Sequence, residues 1–574
     1  MATRHRVLLV YKSKQMTRKI IDSLRPWAFV LIAVVIMSAM SMWFCYHWWS
    51  ATPIVCFCDG LCMILPWLII PPRYRGWWLV FPLVYCLSIV ANLCFGCFFL
   101  GLIPAELFLS TMWMNTYVLG RGISVFQPTL LVPFIGYILL VISWIVLRKH
   151  YPAYNLKGCT KSVAAILCII CFLHIIQIAR VHHHQPELTL KECIADEFEC
   201  HSSYKADILR HGYILAYTMH YIESRVISHT LRPKDIKAVE QLEHESKGQL
   251  PQEYAEAFKA NRGKNLICIV VESLDSDVLN RVVAGVRVVP TLDSLASDST
   301  VITLEPMKQR IGIGKSSDGQ LMALAGLIQC EDCPIVYINN YASYPSIFHA
   351  LHYDDCFAVI GEHKMIWNAE NYLTSLGLTS IYDNITEFCI KDGDKLVFDK
   401  AFDVIKSCDE PFCSMIGTVQ MHEPYFAENA DATAIRKSGQ IEPSLAYYYE
   451  ITRETDKRLG QFLERLKQSG IYQRSVIAIV ADHNSYLHFN TSIPGFILNS
   501  GIPHKFIADR QLTQLDFYPT LLDVMGLGDS GYWPGMGLSA LRPGLEPLSA
   551  TQLKERSELC KRLLRADYFN NSKE

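Results

Sequence analysis

The sequence predicts two unlike parts: an N-terminal all-α membrane domain of five helices and a C-terminal α/β domain with a mainly parallel central sheet. Three observations carry this. Five long apolar stretches crowd the first third of the 574 residues, in a chain that is 51% apolar overall. From Lys264 to about Leu541, strand-like apolar runs alternate with amphipathic helical stretches, the pattern of an α/β domain. Two of those runs, Leu266–Val271 and Val476–Ala481, are continuously apolar and end abruptly in charge, at Glu272 and at Asp482-His483. Strands buried on both faces of a parallel sheet read this way, and their carboxyl ends are where such sheets place chemistry.

The expected spans are Trp27–Trp48, Pro53–Ile70, Trp77–Ile103, Leu130–Leu147 and Ser162–Ala179; the second, fourth and fifth are near the lower length limit for crossing a bilayer. The stretch Glu106–Phe126 carries Asn115, Gly120 and Gly122 and reads as interfacial or re-entrant. Lys and Arg fix the orientation. The N-terminal arm holds Arg4, Arg6, Lys12, Lys14, Arg18, Lys19 and Arg25; Arg73 and Arg75 follow the second span, and Arg148, Lys149, Lys157 and Lys161 follow the fourth. The other loops carry only Arg121. The N-terminus is therefore expected in the cytoplasm and everything after Arg180 outside, with the first helix acting as an uncleaved signal. The net charge of -2 gives no reason to expect a nucleic-acid partner.

Residues 1–180 thus form the membrane domain, 181–262 a helical linker, 263–541 the catalytic domain and 542–574 a charged tail that packs as a peripheral helix or frays. In the linker, His182-His183-His184 reads as a solvated juxtamembrane stretch rather than a metal site, because no carboxylates sit at regular spacing around it. Ten of the 20 cysteines fall in the exported part, where an oxidising compartment favours disulfides. Cys193/Cys200, Cys330/Cys333 and Cys408/Cys413 are the local candidates, and Cys268, mid-strand, reads as a buried free thiol. Cys330-x-x-Cys333 has the spacing of half a zinc site, but no second half follows.

A third segment, Gly314-Lys315-Ser316-Ser317-Asp318, puts two hydroxyls beside a lysine in a Gly-flanked turn, a suitable place for a nucleophile. It is not a phosphate-binding P-loop, whose leading Gly is replaced by Gln309. Carboxylates and a neutral imidazole suit a divalent cation. The combination points to metal-assisted chemistry on a phosphate or sulfate ester.

These motifs resemble the lipoteichoic acid synthase group of the sulfatase/alkaline-phosphatase superfamily, whose relatives include periplasmic phosphoglycerol transferases and lipid A phosphoethanolamine transferases. Gly314–Asp318 is similar to the family's Gly-Lys-Thr-Ser-Asp, which implies that Ser316 takes the Thr's part as nucleophile and metal ligand, with Ser317 as its competitor. The resemblance makes Glu272, Asp482 and His483 the remaining ligands of one divalent ion, Mn2+ or Zn2+, with Mg2+ as a further option. Thr418–Tyr425 resembles the family stretch whose His, here His422, contacts the transferred phosphate group; Lys315 would share its charge. Lys364–Asn368 resembles the substrate-pocket segment and implies Trp367 and Asn368 as pocket residues. Two positions depart from the pattern. Ala369 stands where the Gram-positive synthases have an Arg and Ile360 where they have a His, leaving His363 as the neighbouring polar contact and Glu362 as a counter-charge for a cationic head group.

What the resemblance implies is a multi-pass inner (plasma) membrane transferase with its catalytic domain periplasmic or extracellular. It would move a phosphoglycerol or phosphoethanolamine group from a phospholipid donor to an exported glycan or lipid acceptor through a phosphoryl-serine. The alternative is a membrane-anchored hydrolase of the same superfamily, a phosphodiesterase or sulfatase. A sulfatase needs Pro and Arg after its modified Cys or Ser, and Ser316-Ser317-Asp318-Gly319-Gln320 has neither.

Overall fold

The computed structural model describes residues 27–48, 53–99, 102–104, 127–150, 156–184, 189–197, 204–225, 231–246, 248–330, 334–338, 343–487, 492–502 and 504–571. The N-terminal arm and the stretch 106–126 lie outside the described residues. The chain divides into two compact units, one before residue 228 and one after it.

The first unit is helical: α1 Ala28–Trp48, α2 Pro53–Ile69, α3 Val80–Phe99, α4 Val132–Leu147, α5 Leu156–His184, α6 Leu190–Glu197, α7 Tyr204–His211 and α8 Tyr213–Arg225. Four helical stretches, Ala28–Tyr46, Pro72–Gly96, Pro128–Leu147 and Thr160–His184, are long and apolar enough to cross a membrane. The second expected span, α2, is a shorter, 17-residue apolar helix. It carries a buried charge, Asp59, and the packing explains it. The Asp59 carboxylate accepts from Ser41 Oγ at 2.5 Å and from the backbone N–H groups of Tyr213 and Ile214 at 3.0 and 2.9 Å. It thus satisfies donors in the first turn of α8 that have no partner inside that helix.

The residues expected as one linker divide between the two units. α5 runs on through His184, so the histidine triplet is its last turn, and α6 to α8 fold with the first unit. Helices α9 Pro233–Glu245 and α10 Gln252–Lys259 belong to the second.

The second unit contains β1 Asn265–Val271, the short pair β2 Val282–Val283 and β3 Val286–Arg287, then β4 Ile302–Lys308, α11 Ser316–Ala325, β5 Asp355–Ile360, β6 Ser380–Tyr382, α12 Gly393–Ser407, β7 Phe412–Gly417, α13 Pro443–Gln468, β8 Ser475–Ala481, β9 Ser492–Leu498, β10 Leu512–Thr513, α14 Phe517–Val524 and α15 Ala550–Arg565. Eight strands form one sheet in the order β10-β4-β9-β8-β1-β7-β5-β6, in which β9 alone runs against the others. Every residue of β1, β7 and β8 is buried, as their unbroken apolar runs require. Because β1 sits between β8 and β7 in parallel register, all three carboxyl ends open at one edge of the sheet.

Two expectations change. Cys413 bonds Cys356, not Cys408. The two face each other in register on β5 and β7 with Cα atoms 4.7 Å apart, whereas Cys408 precedes the strand, half-buried and unbonded. Sequence proximity misleads here because strand pairing, not chain spacing, brings thiols together. Cys268 is a buried free thiol on β1; Cys200 and Cys333 lie outside the described residues. The C-terminal tail, charged overall, forms α15 with one face set into the core through Leu553, Leu559, Cys560, Leu563 and Leu564. The charges of α15 are anchored too: Arg556 to Glu245 at 2.6 Å and Arg562 to Asp235 at 2.9 Å.

Candidate metal and nucleophile centre

Glu272 follows β1 directly, and Asp482 follows β8, so the parallel register sets their side chains side by side. His483 comes next, and Ser316 opens α11. Four polar groups converge. Ser316 Oγ lies 3.2 Å from His483 Nε2 and 3.4 Å from Glu272 Oε2. His483 Nε2 lies 3.5 Å from Glu272 Oε1 and 3.7 Å from Asp482 Oδ2. Glu272, Asp482 and His483 are buried.

Neighbouring donors hold the carboxylates in place. Ser273 donates its hydroxyl to Glu272 Oε1 at 2.6 Å and its N–H to Asp482 Oδ1 at 2.9 Å. Thr418 Oγ1 accepts the Glu272 N–H at 2.9 Å, tying β1 to the end of β7. Gln514 Nε2 donates to the Asp482 carbonyl at 2.6 Å. Burial pushes the Asp482 carboxyl up to about 7, with Glu272 adding to the rise, and burial raises Glu272 as well. A third carboxyl, Glu362, at the start of the loop after β5, is pushed up to about 7 by burial and by its nearness to Glu272 and Asp482. Burial lowers His483, keeping it neutral.

The tautomer of His483 follows from its partner. Nδ1 lies 2.8 Å from the Asn484 carbonyl, which can only accept, so Nδ1 carries the proton and Nε2 the lone pair. That lone pair faces two carboxylates that cannot donate to it once ionised. Buried anions beside a bare imidazole nitrogen are costly alone and favourable around a divalent cation. The donor set therefore fits one metal ion; Glu272, Asp482 and His483 offer ligand atoms within 4.8 Å of one another.

The two serines of the turn part ways. Ser316 faces the carboxylates, while the Ser317 hydroxyl donates to the Gly314 carbonyl at 2.8 Å and is buried. Asp318 accepts the N–H groups of Gly312 and Gly314, each at 3.0 Å, and so shapes the turn. Lys315 holds φ 44° at the head of α11, a backbone region few non-glycine residues adopt. Its ammonium sits 3.7 Å from Glu423 Oε1 and 5.1 Å from the centre of the Tyr486 ring. Tyr486 in turn stacks on His483 at 4.9 Å. His422, half-buried after β7, packs on Phe388 at 4.4 Å, and burial lowers its pKa. Cys389 Sγ donates to the His422 carbonyl at 2.8 Å.

The segment expected to line the substrate pocket is less uniform. His363 is largely exposed, 3.8 Å from Asp383. Asn368 holds φ 62° and donates to the Val336 carbonyl at 3.0 Å, a role in the loop itself. The Trp367 side chain lies outside those described. Ala369 is buried in the first turn of the helix Ala369–Ser375. Sequence reading passed over Ser273, Tyr486, Cys389 and Gly319. Only Ser273 carried a signal, as a hydroxyl directly after a candidate ligand. A cleft of about 860 Å3 elsewhere in this unit, lined by Thr291, Lys395, Asp399, Arg453 and Arg465 among others, includes none of the converging residues.

Residues 333–527 match the sulfatase family model. Lipoteichoic acid synthase 1 of Bacillus subtilis (strain 168) is 29% identical over 283 residues, covering 47% of this chain and 43% of that protein. The chain thus spans about half the length of the curated relatives it matches. Among solved structures, the lipoteichoic acid synthase LtaP from Listeria monocytogenes aligns over 58% of this chain and 98% of its own, with TM-score 0.48 and 18% identity. The Streptococcus pyogenes phosphoglycerol transferase GacH, in complex with sn-glycerol-1-phosphate, aligns over 60% and 97%, with TM-score 0.42 and 17% identity.

Proposed function

We propose that this chain, whose second unit carries a sulfatase-family domain homologous to lipoteichoic acid synthases, is a membrane-bound transferase of phospho-alcohol groups. The observation that carries the reading is the placement of one hydroxyl, Ser316 Oγ, 3.2 Å from a neutral imidazole and 3.4 Å from a buried carboxylate in a set that fits a divalent cation.

Glu272, Asp482, His483 and Ser316 would hold the ion, zinc or manganese, with magnesium as the third option. When bound, the ion lowers the pKa of the Ser316 hydroxyl and offsets charge on the phosphate oxygens. Ser316 Oγ attacks the phosphorus of a phospholipid head group as its proton passes to the lipid oxygen, the bond to that oxygen breaks, and diacylglycerol leaves while the phosphoryl group, still bearing its head-group alcohol, is joined to Ser316. An acceptor hydroxyl then displaces Ser316 from phosphorus in a second in-line step, and the serine recovers its proton. Lys315 and His422 face the non-bridging oxygens. His422 is the proton carrier, because His483 has its only lone pair committed. By the resemblance, Asn368, Trp367 and His363 are assigned to the transferred head group, which stays on phosphorus.

The apolar helices make this a membrane protein. We place the second unit outside the cytoplasm, where lipid donor and glycan or lipid acceptor meet. The transferred group is phosphoglycerol or phosphoethanolamine. The test incubates purified full-length protein with phosphatidylglycerol or phosphatidylethanolamine, each labelled in the head group, and an acceptor glycolipid. Diacylglycerol release with label on the acceptor is the expected result. Label released only as free phospho-alcohol would make the chain a hydrolase instead.

A further inference from the structure

The first unit holds a second convergence of ligand-type side chains. His174 lies on α5, Glu197 ends α6 and His211 ends α7. Glu197 Oε1 is 2.8 Å from His174 Nδ1 and 3.7 Å from His211 Nδ1, and the imidazole centres are 5.1 Å apart. All three are buried, Glu197 and His211 to 1% exposure. Ligand atoms from the three lie within 4.8 Å of one another.

His211 is the informative member. Neither of its ring nitrogens has a hydrogen-bond partner among the described residues. No lysine or arginine pairs with Glu197 among the described residues. A buried carboxylate shared by two imidazoles, one of them without a hydrogen bond among the described residues, is poorly compensated without a cation. Nearby Asp207 is already engaged, by His220 Nε2 at 2.8 Å.

We propose that His174, Glu197 and His211 bind a divalent transition metal, zinc by the two-imidazole, one-carboxylate donor set, which pins α6 and α7 to α5. Each of the three ligands comes from a different helix, so the ion closes the chain after the last span. The fourth position is left to water. This site lies wholly in the first unit and is independent of the centre around Ser316.

The test measures zinc bound per chain in full-length detergent-solubilised protein, stripped with chelator, reloaded with Zn2+ and desalted. An Asp482→Asn chain, disabled at the other centre, should retain zinc. Adding Glu197→Gln or His211→Ala to that background should remove it. Co2+ gives a second readout: Asp482→Asn should show visible d–d absorption that Asp482→Asn/Glu197→Gln lacks, while both elute as the same monodisperse species. Retention of zinc and of the Co2+ spectrum in the double variants overturns the proposal, as does failure of the Asp482→Asn chain to hold either ion.

Discussion

Gly319 and Asp482 are in closer contact than any other residue type at position 319 would allow: a Cβ there would sit 2.1 Å from the Asp482 carbonyl oxygen. Gly319 lies in the first turns of α11, three residues after Ser316, so this approach sets the depth at which the nucleophile meets the carboxylates. Gly319→Ala should push α11 away from β8. The expected cost is about 1–3 kcal/mol in stability, with weaker metal binding and a loss of turnover larger than the stability change explains. Thermal unfolding, metal titration and turnover measured together check it; wild-type turnover would mean that the approach does not matter.

Ser316→Ala should lower turnover by at least roughly a thousandfold with little effect on unfolding, and Ser316→Thr should keep substantial activity because the hydroxyl persists. Ser317→Ala should show the reverse emphasis. Its hydroxyl serves the Gly314 carbonyl, so the loss should be about 1 kcal/mol of stability with turnover largely kept. An inactive Ser317→Ala beside an active Ser316→Ala would move the nucleophile by one residue.

The metal centre should show a definite pH signature. Asp482 and Glu362 titrate at about 7 in the metal-free fold, far above their ordinary values. Between about pH 4 and 7 the folded chain therefore holds protons that the unfolded chain has released. These groups make the metal-free protein less stable as pH rises through that window. A divalent cation relieves the repulsion and binds the deprotonated carboxylates. The gain in unfolding temperature on adding Zn2+ or Mn2+ should accordingly grow from about pH 5 to about pH 7.5. A gain that shrinks over that range would contradict the carboxylate assignment.

Peptide mapping after alkylation should find Cys356 joined to Cys413, with Cys408 alkylated without prior reduction. The bridge closes a separation of 57 residues. Its removal by Cys356→Ser should cost roughly 2–4 kcal/mol, from the greater freedom of the unfolded chain. Detection of Cys408 joined to Cys413 instead would mean that the β5–β7 register is wrong.

Topology is open to direct measurement. A reporter active only outside the cytoplasm should work when fused after Asn261 and stay silent after Arg75 or Lys157. Activity at either of the latter would overturn the orientation drawn from the basic loops.

The sequence by itself determined the two-part architecture, because hydropathy and period need no knowledge of the fold. Apolar runs of bilayer length and fully apolar strands ending in charge can each form little else. It also determined which residues to watch at the strand ends, since Glu272 and Asp482-His483 are the first polar groups beyond buried β1 and β8. What only the tertiary structure decided is what depends on register and on contacts between distant segments. Ser316 and Ser317 are equivalent as letters, and only the turn around Asp318 aims one at the carboxylates and the other at the backbone. Cys413 has a near neighbour in sequence and a different one in space, because parallel pairing sets Cys356 opposite it. The charges of α15 hide an apolar face that a composition cannot reveal. His174, Glu197 and His211, separated by 23 and 14 positions, meet only because three helices fold back on one another. Local chemistry is written in the chain, but the distances at which it acts are set by packing.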